Sequence, residues 1–124
     1  MTFISTAKIA GLLSVALLFG YSNASAKTMT IACPTVKTTL TPGYKTTENG
    51  FEWKSWQSQP SLEVSTADDK NYFAEISQSY KGISLRCIGG SKDKHYGFYT
   101  HSPKITSCKI DTTTNKGFIC EISD

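Results

Sequence analysis

Long apolar runs, helical periodicity and strong charge are all scarce in this chain of 124 residues. Beyond the first 26 residues, no stretch approaches the ~20 apolar residues that a transmembrane helix needs. No window repeats apolar residues at i, i+3 and i+4, which argues against amphipathic helices. The motifs G-x-S-x-G and H-E-x-x-H and phosphate-binding glycine loops are missing too. We therefore expect no metal and no cofactor.

The first 26 residues have the composition of an export signal. Lys8 precedes an apolar run over residues 9–19, and the small residues Ala24 and Ala26 follow where signal peptidase cuts. The run is too short to cross a bilayer, which disfavours an uncleaved anchor. The sequence predicts a cleaved signal peptide over residues 1–26, with cleavage after Ala26, and a secreted or periplasmic product.

Residues 27–124 then remain, which is the length of one domain. Without Lys8 the chain has 12 basic and 10 acidic side chains, a net charge of +2. Nucleic-acid binding domains usually carry a much stronger basic stripe. We therefore expect no nucleic-acid partner, and this mild charge describes an ordinary soluble surface.

Four cysteines follow the predicted signal peptide, and an exported chain meets an oxidising compartment. They are separated by 54, 21 and 12 residues, so no close pair such as C-x-x-C could hold a metal ion. Two disulfides are expected instead, with three possible connectivities. The four positions are Cys33, Cys87, Cys108 and Cys120.

The last two cysteines belong to a segment that reads as a β-hairpin, ITSCKIDTTTNKGFICEI. Centring its turn on Thr114 predicts three cross-strand pairs: Ile110 with Phe118, Cys108 with Cys120, and Thr106 with Ile122. These six side chains share one mostly apolar face, which we expect to point inward. A Cys108–Cys120 bridge fits this register and leaves Cys33–Cys87. The alternative, Cys33–Cys120 with Cys87–Cys108, would also join neighbouring strands.

Period-two alternation runs through most of the mature chain. It places Met29, Ile31 and Cys33 on one strand face, Tyr72, Ala74, Ile76 and Tyr80 on another, and Ile83, Leu85 and Cys87 on a third. Turn residues separate these runs, and Asn49-Gly50 is the strongest hairpin signal. We predict an all-β domain, a small antiparallel β-sandwich or barrel of about seven to eight short strands, stapled by disulfides.

Both histidines of the chain lie in HYGFYTH, over residues 95–101. If this segment is one strand, His95 and His101 share a face but lie roughly 20 Å apart, at ~3.3 Å per residue. An acid and a base acting on one bond must be far closer. The spacing therefore argues against a joint catalytic site, and no catalytic residue is assigned.

Trp56 is the first candidate contact residue. In GFEWKSWQSQP, Phe51 and Trp53 share one strand face, whereas Trp56 shares the other with Glu52 and Lys54. A tryptophan on a polar face is typical of a binding surface. The alternative is that Trp56 packs under the following turn. Further candidate contact residues come from the histidine strand: His95, Tyr96, Tyr99 and His101.

Four segments together resemble a family of small exported bacterial proteins that carry a domain of unknown function (number 3757). The segments are ACP at 32–34, NGFEW at 49–53, FAEI ahead of LRCIGG, and the closing SCKIDTTTNKGFICEI. The resemblance implies a secreted, disulfide-linked β domain. It implies no activity and brings no catalytic residue.

Three functions are compatible with these features. The first is an exported, non-enzymatic binding domain with a protein or glycan partner. The second is a small secreted hydrolase, nuclease-like, that uses His95 or His101. The third is an inhibitor of a secreted enzyme, in which an exposed hairpin tip enters a cleft.

Overall fold

A computed structural model describes residues 26–123, and these form antiparallel β-sheets with a single turn of 3-10 helix at Thr66–Asp68. The all-β prediction is confirmed, but the strand count is ten rather than seven or eight. The strands are β1 Ala26–Ala32, β2 Lys37–Leu40, β3 Lys45–Glu48, β4 Phe51–Gln57, β5 Leu62–Ser65, β6 Phe73–Ser79, β7 Gly82–Gly90, β8 His95–His101, β9 Ile105–Ile110 and β10 Gly117–Ser123.

The strands pair into three sheets. The largest has five strands in the order β3-β4-β8-β7-β6, a second has the order β1-β10-β9, and β2 pairs with β5. The extra strands are the four-residue segments β2, β3 and β5. These are too short to show a clear alternation in the sequence, and their pairing with a partner strand defines them.

A single apolar core lies between the five-stranded and three-stranded sheets. Trp53, Leu85 and Phe98 reach it from the larger sheet, and Ile31 and Phe118 from the smaller one; all five are 0% exposed. Burying a side chain of this size contributes about 1.5–3 kcal/mol. The inward residues of both sheets therefore supply much of the stability, and the opposite side of the larger sheet faces solvent.

Most of the predicted inward faces are correct. Ile31, Cys33, Leu85 and Cys87 are buried, as alternation predicts. Tyr80 is an exception: it is 94% exposed, because β6 ends at Ser79 and Tyr80 lies in the turn to β7. The alternation of a strand does not extend into the turn that follows it.

The β3–β4 turn follows the hairpin rule. Asn49 and Gly50 both have positive φ, at 56° and 83°, as the tight two-residue turn requires. Asn49 also donates its side-chain amide to the carbonyl of Ala32 at 3.2 Å. The turn is therefore held by its own backbone preference and by a contact with the end of β1.

The β9–β10 hairpin has the predicted register near its turn and departs from it further away. Phe118 pairs with Ile110 and Cys120 with Cys108. A bulge between Glu121 and Ile122 then pairs Ile122 with Ile105 instead of Thr106. Thr106 is consequently exposed, which corrects the predicted inward position, and Ile105 is buried.

Both disulfides have the favoured connectivity. Cys33 bonds to Cys87 and Cys108 bonds to Cys120. The first joins the residue that follows β1 to the middle of β7, so it links the two large sheets, while the second lies within one hairpin. The predicted signal peptide lies outside the described residues, except for Ala26. Within residues 26–123, no helix is long and apolar enough to cross a membrane.

Candidate binding face

The solvent side of the five-stranded sheet gathers several of the candidate contact residues. We call this side the outer face; it carries Lys54, Trp56, Phe73, Arg86 and Tyr99. Their strand neighbours point to the core, because successive side chains alternate between the two sides of a sheet. The pairing of these strands therefore holds the residues of this face in a fixed register.

One row of the outer face is apolar. The strand register places Trp56 opposite Gly97, Gly97 opposite Ile88, and Ile88 opposite Phe73. We call these four residues the aromatic row. It crosses four strands, about 14 Å at the usual ~4.8 Å strand spacing. Phe73 is 43% exposed, while Trp56 and Ile88 are half-buried.

Trp56 reaches across its neighbouring strand. A Cβ added at Gly97 would lie 2.7 Å from two carbons of the Trp56 ring, so the indole occupies the space that a side chain there would fill. His95 packs edge-on against the same ring, with centroids 5.5 Å apart. Trp56 therefore stays on the outer face and packs on Gly97 and His95, not under the turn after β4.

Hydrogen bonds hold the His95 end of this face. The His95 backbone donates to Ser58 Oγ at 3.1 Å, and the same hydroxyl donates to the carbonyl of Asp93 at 3.0 Å. His95 Nδ1 lies 3.0 Å from the carbonyl of Lys92. Because a carbonyl only accepts, Nδ1 carries the proton there. The Nδ1 hydrogen bond and the contact with the Trp56 ring together set the orientation of the His95 imidazole.

The next row along the strands is charged. Lys54 pairs with Tyr99, Tyr99 with Arg86, and Arg86 with Glu75. We call this the charged row. Tyr99 is 39% exposed, and Arg86 Nε lies 3.4 Å from Glu75 Oε1 in a half-exposed ion pair. Arg86 is thus partly neutralised, whereas Lys54 is exposed beside the Tyr99 ring.

A cleft of about 450 Å³ adjoins the charged row. Its polar lining includes Glu52, Lys54, Tyr99 and His101, and we call it the polar cleft. His101 Nδ1 lies 2.9 Å from the carbonyl of Ile83, so it donates to that oxygen, and a Cβ added at Gly82 would lie 3.2 Å from the His101 ring. The Glu52 carboxylate, the Lys54 ammonium and the Tyr99 hydroxyl give the cleft both hydrogen-bond donors and acceptors.

The two histidines lie at opposite ends of β8, which runs without interruption from His95 to His101. The strand contains Gly97 but does not bend back there, since it pairs with β7 along its whole length. At ~3.3 Å per residue, six steps separate them by roughly 20 Å. They cannot act on one bond; His95 belongs to the Trp56 end and His101 to the polar cleft.

Tyr96 does not belong to the outer face. Its ring is 3% exposed and stacks on Tyr72 in the core, with centroids 6.1 Å apart. Alternation explains the difference, because Tyr96 lies one residue from each of the outward-pointing positions His95 and Gly97. Tyr96 is therefore not one of the contact residues, and its role is structural.

That structural role depends on a hydrogen-bonded cluster around Asp69. Asp69 Oδ2 accepts from the Tyr96 hydroxyl at 2.6 Å and from the Gly90 backbone at 2.8 Å, while Oδ1 accepts from the Asn71 backbone at 2.8 Å. Burial raises the pKa of the Asp69 carboxyl, but these hydrogen bonds and the charge of Lys116 lower it overall. The carboxylate thus fastens the turn before β6 to β7 and β8.

Burial and the Asp69 carboxylate together raise the pKa of the Tyr96 hydroxyl. Burial, and then the neighbouring Tyr96, likewise raise the pKa of Tyr72. Tyr72 donates its hydroxyl to the carbonyl of Pro34 at 2.9 Å. Both phenols therefore remain protonated donors, which fits core hydrogen bonding and not acid–base chemistry.

A second cleft, of about 420 Å³, lies beside the end of β1 and the β9–β10 turn. Thr66 and Tyr72 contribute hydroxyls to its lining, but both hydroxyls donate to the carbonyl of Pro34, at 3.2 and 2.9 Å. Its buried polar groups therefore serve the fold. The polar cleft on the outer face is the better candidate for a ligand.

Several residues of the outer face were missed from the sequence. Phe73, Arg86 and Ile88 come from β6 and β7, and only the pairing of those strands with β8 brings them beside Tyr99 and Trp56. Alternation would have placed them opposite the core, since each precedes or follows a buried residue. What it could not show was which strand lies next to which.

Among residues 26–123, no three His, Cys, Asp or Glu side chains come together in a way that could hold a metal ion. Comparison of the chain with family models, with curated proteins and with solved structures gave no match. The resemblance described above therefore stays a prediction, and the functional argument depends on the outer face alone.

Proposed function

We propose that this protein is an exported binding domain whose contact surface is the outer face. The observation that carries the proposal is the position of its exposed rings. Three large hydrophobic side chains are exposed among the described residues, and two of them, Phe73 and Tyr99, lie on the same face as Trp56. Aromatic residues gathered on a solvent-facing surface are typical of binding sites.

The way in which the strands and neighbouring side chains hold these rings in place supports the same proposal. They stand on paired strands, and Trp56 is packed against Gly97 and His95. A ring that is already ordered loses little conformational entropy when a ligand covers it. Export is supported by the predicted signal peptide and by two disulfides, which persist in oxidising compartments.

Capture of a partner tests the proposal. The protein is produced as its full chain, purified after export and immobilised in three forms: wild type, Trp56→Ala with Tyr99→Ala, and Tyr80→Ala. Tyr80 is the matched control, because it is an exposed tyrosine in the β6–β7 turn, outside the outer face. Envelope and extracellular fractions are passed over each column.

We expect a component that the wild-type and Tyr80→Ala columns retain and the double variant loses at least tenfold. Retention that is equal on all three columns would place the contact surface elsewhere. The same experiment also tests the enzyme-inhibitor hypothesis. A target enzyme that binds the 111–116 hairpin turn would be retained by the double variant as well as by wild type.

The second candidate function is a hydrolase that uses His101, and the polar cleft is the observation that favours it. His101 lines this cleft with Glu52 and Lys54, whereas His95 lies at the far end of β8. A base, a carboxylate and a cation in one cleft are groups that general acid–base hydrolysis uses. Purified protein is incubated with RNA, peptidoglycan and a protein substrate; hydrolysis that His101→Gln abolishes and His95→Gln preserves would support it.

A further inference from the structure

We infer that the outer face binds a linear, uncharged polysaccharide, with sugar rings along the aromatic row and sugar hydroxyls in the polar cleft. This inference rests on the proposed binding function and names its ligand class. It depends on three properties of the face: its size, its charge, and its mixture of donors and acceptors.

The size of the outer face fits a chain better than a globular partner. Taken as a rectangle, five strands at ~4.8 Å spacing and seven residues at ~3.3 Å rise cover about 550 Å². Each partner of a stable protein complex commonly buries about 800 Å². The face is therefore small for a protein interface. A linear polymer needs only a strip, and the aromatic row spans the sheet from Trp56 to Phe73.

The charge of the face argues against a polyanion. Its cations are Lys45, Lys54 and Arg86, and two carboxylates, Glu52 and Glu75, stand among them. Arg86 is already paired with Glu75 at 3.4 Å. A nucleic acid would need several cations free for its phosphates. Here the surplus is a single positive charge, and Glu52 would repel each phosphate near the cleft.

The mixture of polar groups suits hydroxyls, which both donate and accept. In the polar cleft the Glu52 carboxylate can accept, the Lys54 ammonium can donate, and the Tyr99 hydroxyl can do either. A sugar ring also has an apolar C–H face, which packs well on an aromatic ring such as Trp56. Lys54 and Tyr99, which line the polar cleft, lie in the row next to the aromatic row, so one chain can contact both.

Affinity electrophoresis tests the inference. Native gels contain soluble mixed-linkage β-glucan, xylan or soluble starch, and the proteins are wild type, Trp56→Ala, Tyr99→Ala, Glu52→Gln and Tyr80→Ala. We expect at least one polysaccharide to retard wild type and the Tyr80→Ala control equally. Trp56→Ala should weaken that binding at least tenfold and Glu52→Gln several-fold, with little change between low and moderate salt.

Tyr99→Ala provides a second variant in case Trp56→Ala fails to fold, because Tyr99 is the more exposed ring. Circular dichroism checks folding of each variant. Parallel gels contain polygalacturonate or polyadenylate as charged probes. Retardation by a charged probe alone, abolished by salt, would overturn the assignment of an uncharged ligand.

The column experiment separates the two proposals. If no neutral polysaccharide retards the protein, but a captured component still depends on Trp56 and Tyr99, the ligand class is wrong and the binding face stands. If neither experiment depends on these two residues, both proposals fail. Equal retardation of wild type and Trp56→Ala by a polysaccharide would place sugar binding outside the outer face.

Discussion

Gly97 and Trp56 illustrate how a single residue shapes the outer face. Gly97 has no side chain, so the Trp56 indole can fill the space above it and join the aromatic row. A glycine inside a strand is unfavourable by itself, because it costs conformational entropy and provides nothing to pack. Here the neighbouring ring supplies the missing packing, which explains why a continuous strand tolerates it.

Gly97→Ala should therefore displace the Trp56 ring without unfolding the sheet. The added methyl would lie 2.7 Å from the ring, and overpacking of this kind costs about 1–3 kcal/mol. In a Trp56→Ala background the same change should instead be neutral or stabilise by about 0.5–1 kcal/mol, because alanine restricts the unfolded chain. Urea unfolding of the four proteins measures the coupling, and additive effects would show that the two side chains do not meet.

Asp69 is a carboxylate whose role is to stabilise the fold. Its two oxygens accept from Tyr96, Gly90 and Asn71, and its pKa is lowered overall. The folded-state pKa thus lies below the unfolded value of about 3.9, so the stabilisation is complete above that pH and is lost as pH falls through the folded value.

We expect Asp69→Asn to lower the free energy of unfolding by about 1–3 kcal/mol at pH 7, because buried donors lose a charged acceptor. The loss should shrink as the pH falls below about 4, because the carboxyl of the unfolded chain is then protonated, and it should vanish once the folded carboxyl is protonated at its lower pKa. Urea unfolding between pH 7 and 3 measures this. Glu63→Gln, at an exposed position on β5, is the control; a loss that is independent of pH would contradict the account.

At the scale of elements, the register of the β9–β10 hairpin depends on local sequence near its turn and on core packing further from it. Near its turn the pairing follows the sequence, with Cys108 opposite Cys120. Further out, the bulge at Glu121 changes which residue faces the core, so that Ile105 is buried and Thr106 is exposed. Burial of an isoleucine is favourable by far more than burial of a threonine, so the core decides the register there.

Ile105→Ala should consequently destabilise the protein by about 2–4 kcal/mol, as is usual for truncating a buried isoleucine. Thr106→Ala should cost at most about 1 kcal/mol, since it removes one exposed hydrogen bond to the Glu121 carbonyl. The unbulged register predicts the opposite order, because it places Thr106 inside. Thermal and urea unfolding of the two variants decide between the registers.

At the scale of the whole molecule, the disulfides hold a small domain together. Cys33–Cys87 closes 54 residues and links the two large sheets, whereas Cys108–Cys120 closes 12 residues in one hairpin. A domain of about 100 residues buries only a little over ~60% of its unfolded surface, so such bonds matter. In the chain-entropy model they contribute about 4 and about 3 kcal/mol.

Replacing Cys33 and Cys87 by alanine should therefore destabilise the protein by about 4 kcal/mol, and replacing Cys108 and Cys120 by about 3 kcal/mol. Reduction of both bonds should remove most of a typical stability of ~5–15 kcal/mol. Urea unfolding of each double variant, with wild type in reductant, measures these values. If loss of Cys108–Cys120 lowered the free energy of unfolding by more than loss of Cys33–Cys87, chain entropy would not be the main contribution of that bond.

The outer face explains how much of a site can be read from a sequence. Trp56, Tyr99, His95 and His101 could be selected because they alternate with residues that look buried. The same reasoning failed for Tyr96, which looks like its neighbours but donates to Asp69 in the core. It also missed Phe73, because the sequence does not reveal that β6 lies two strands from β8.

The sequence by itself determined the all-β class, the Asn49-Gly50 turn, the inward residues of the longer strands and the favoured disulfide pairing. These follow from local chemistry: alternation, turn preference and the register of a hairpin closed by a short turn. Tertiary structure alone decided the bulge at Glu121, the strand order, and which rings meet on the outer face. Those features depend on contacts between segments far apart in the chain, and a period of two cannot say which face another sheet will cover.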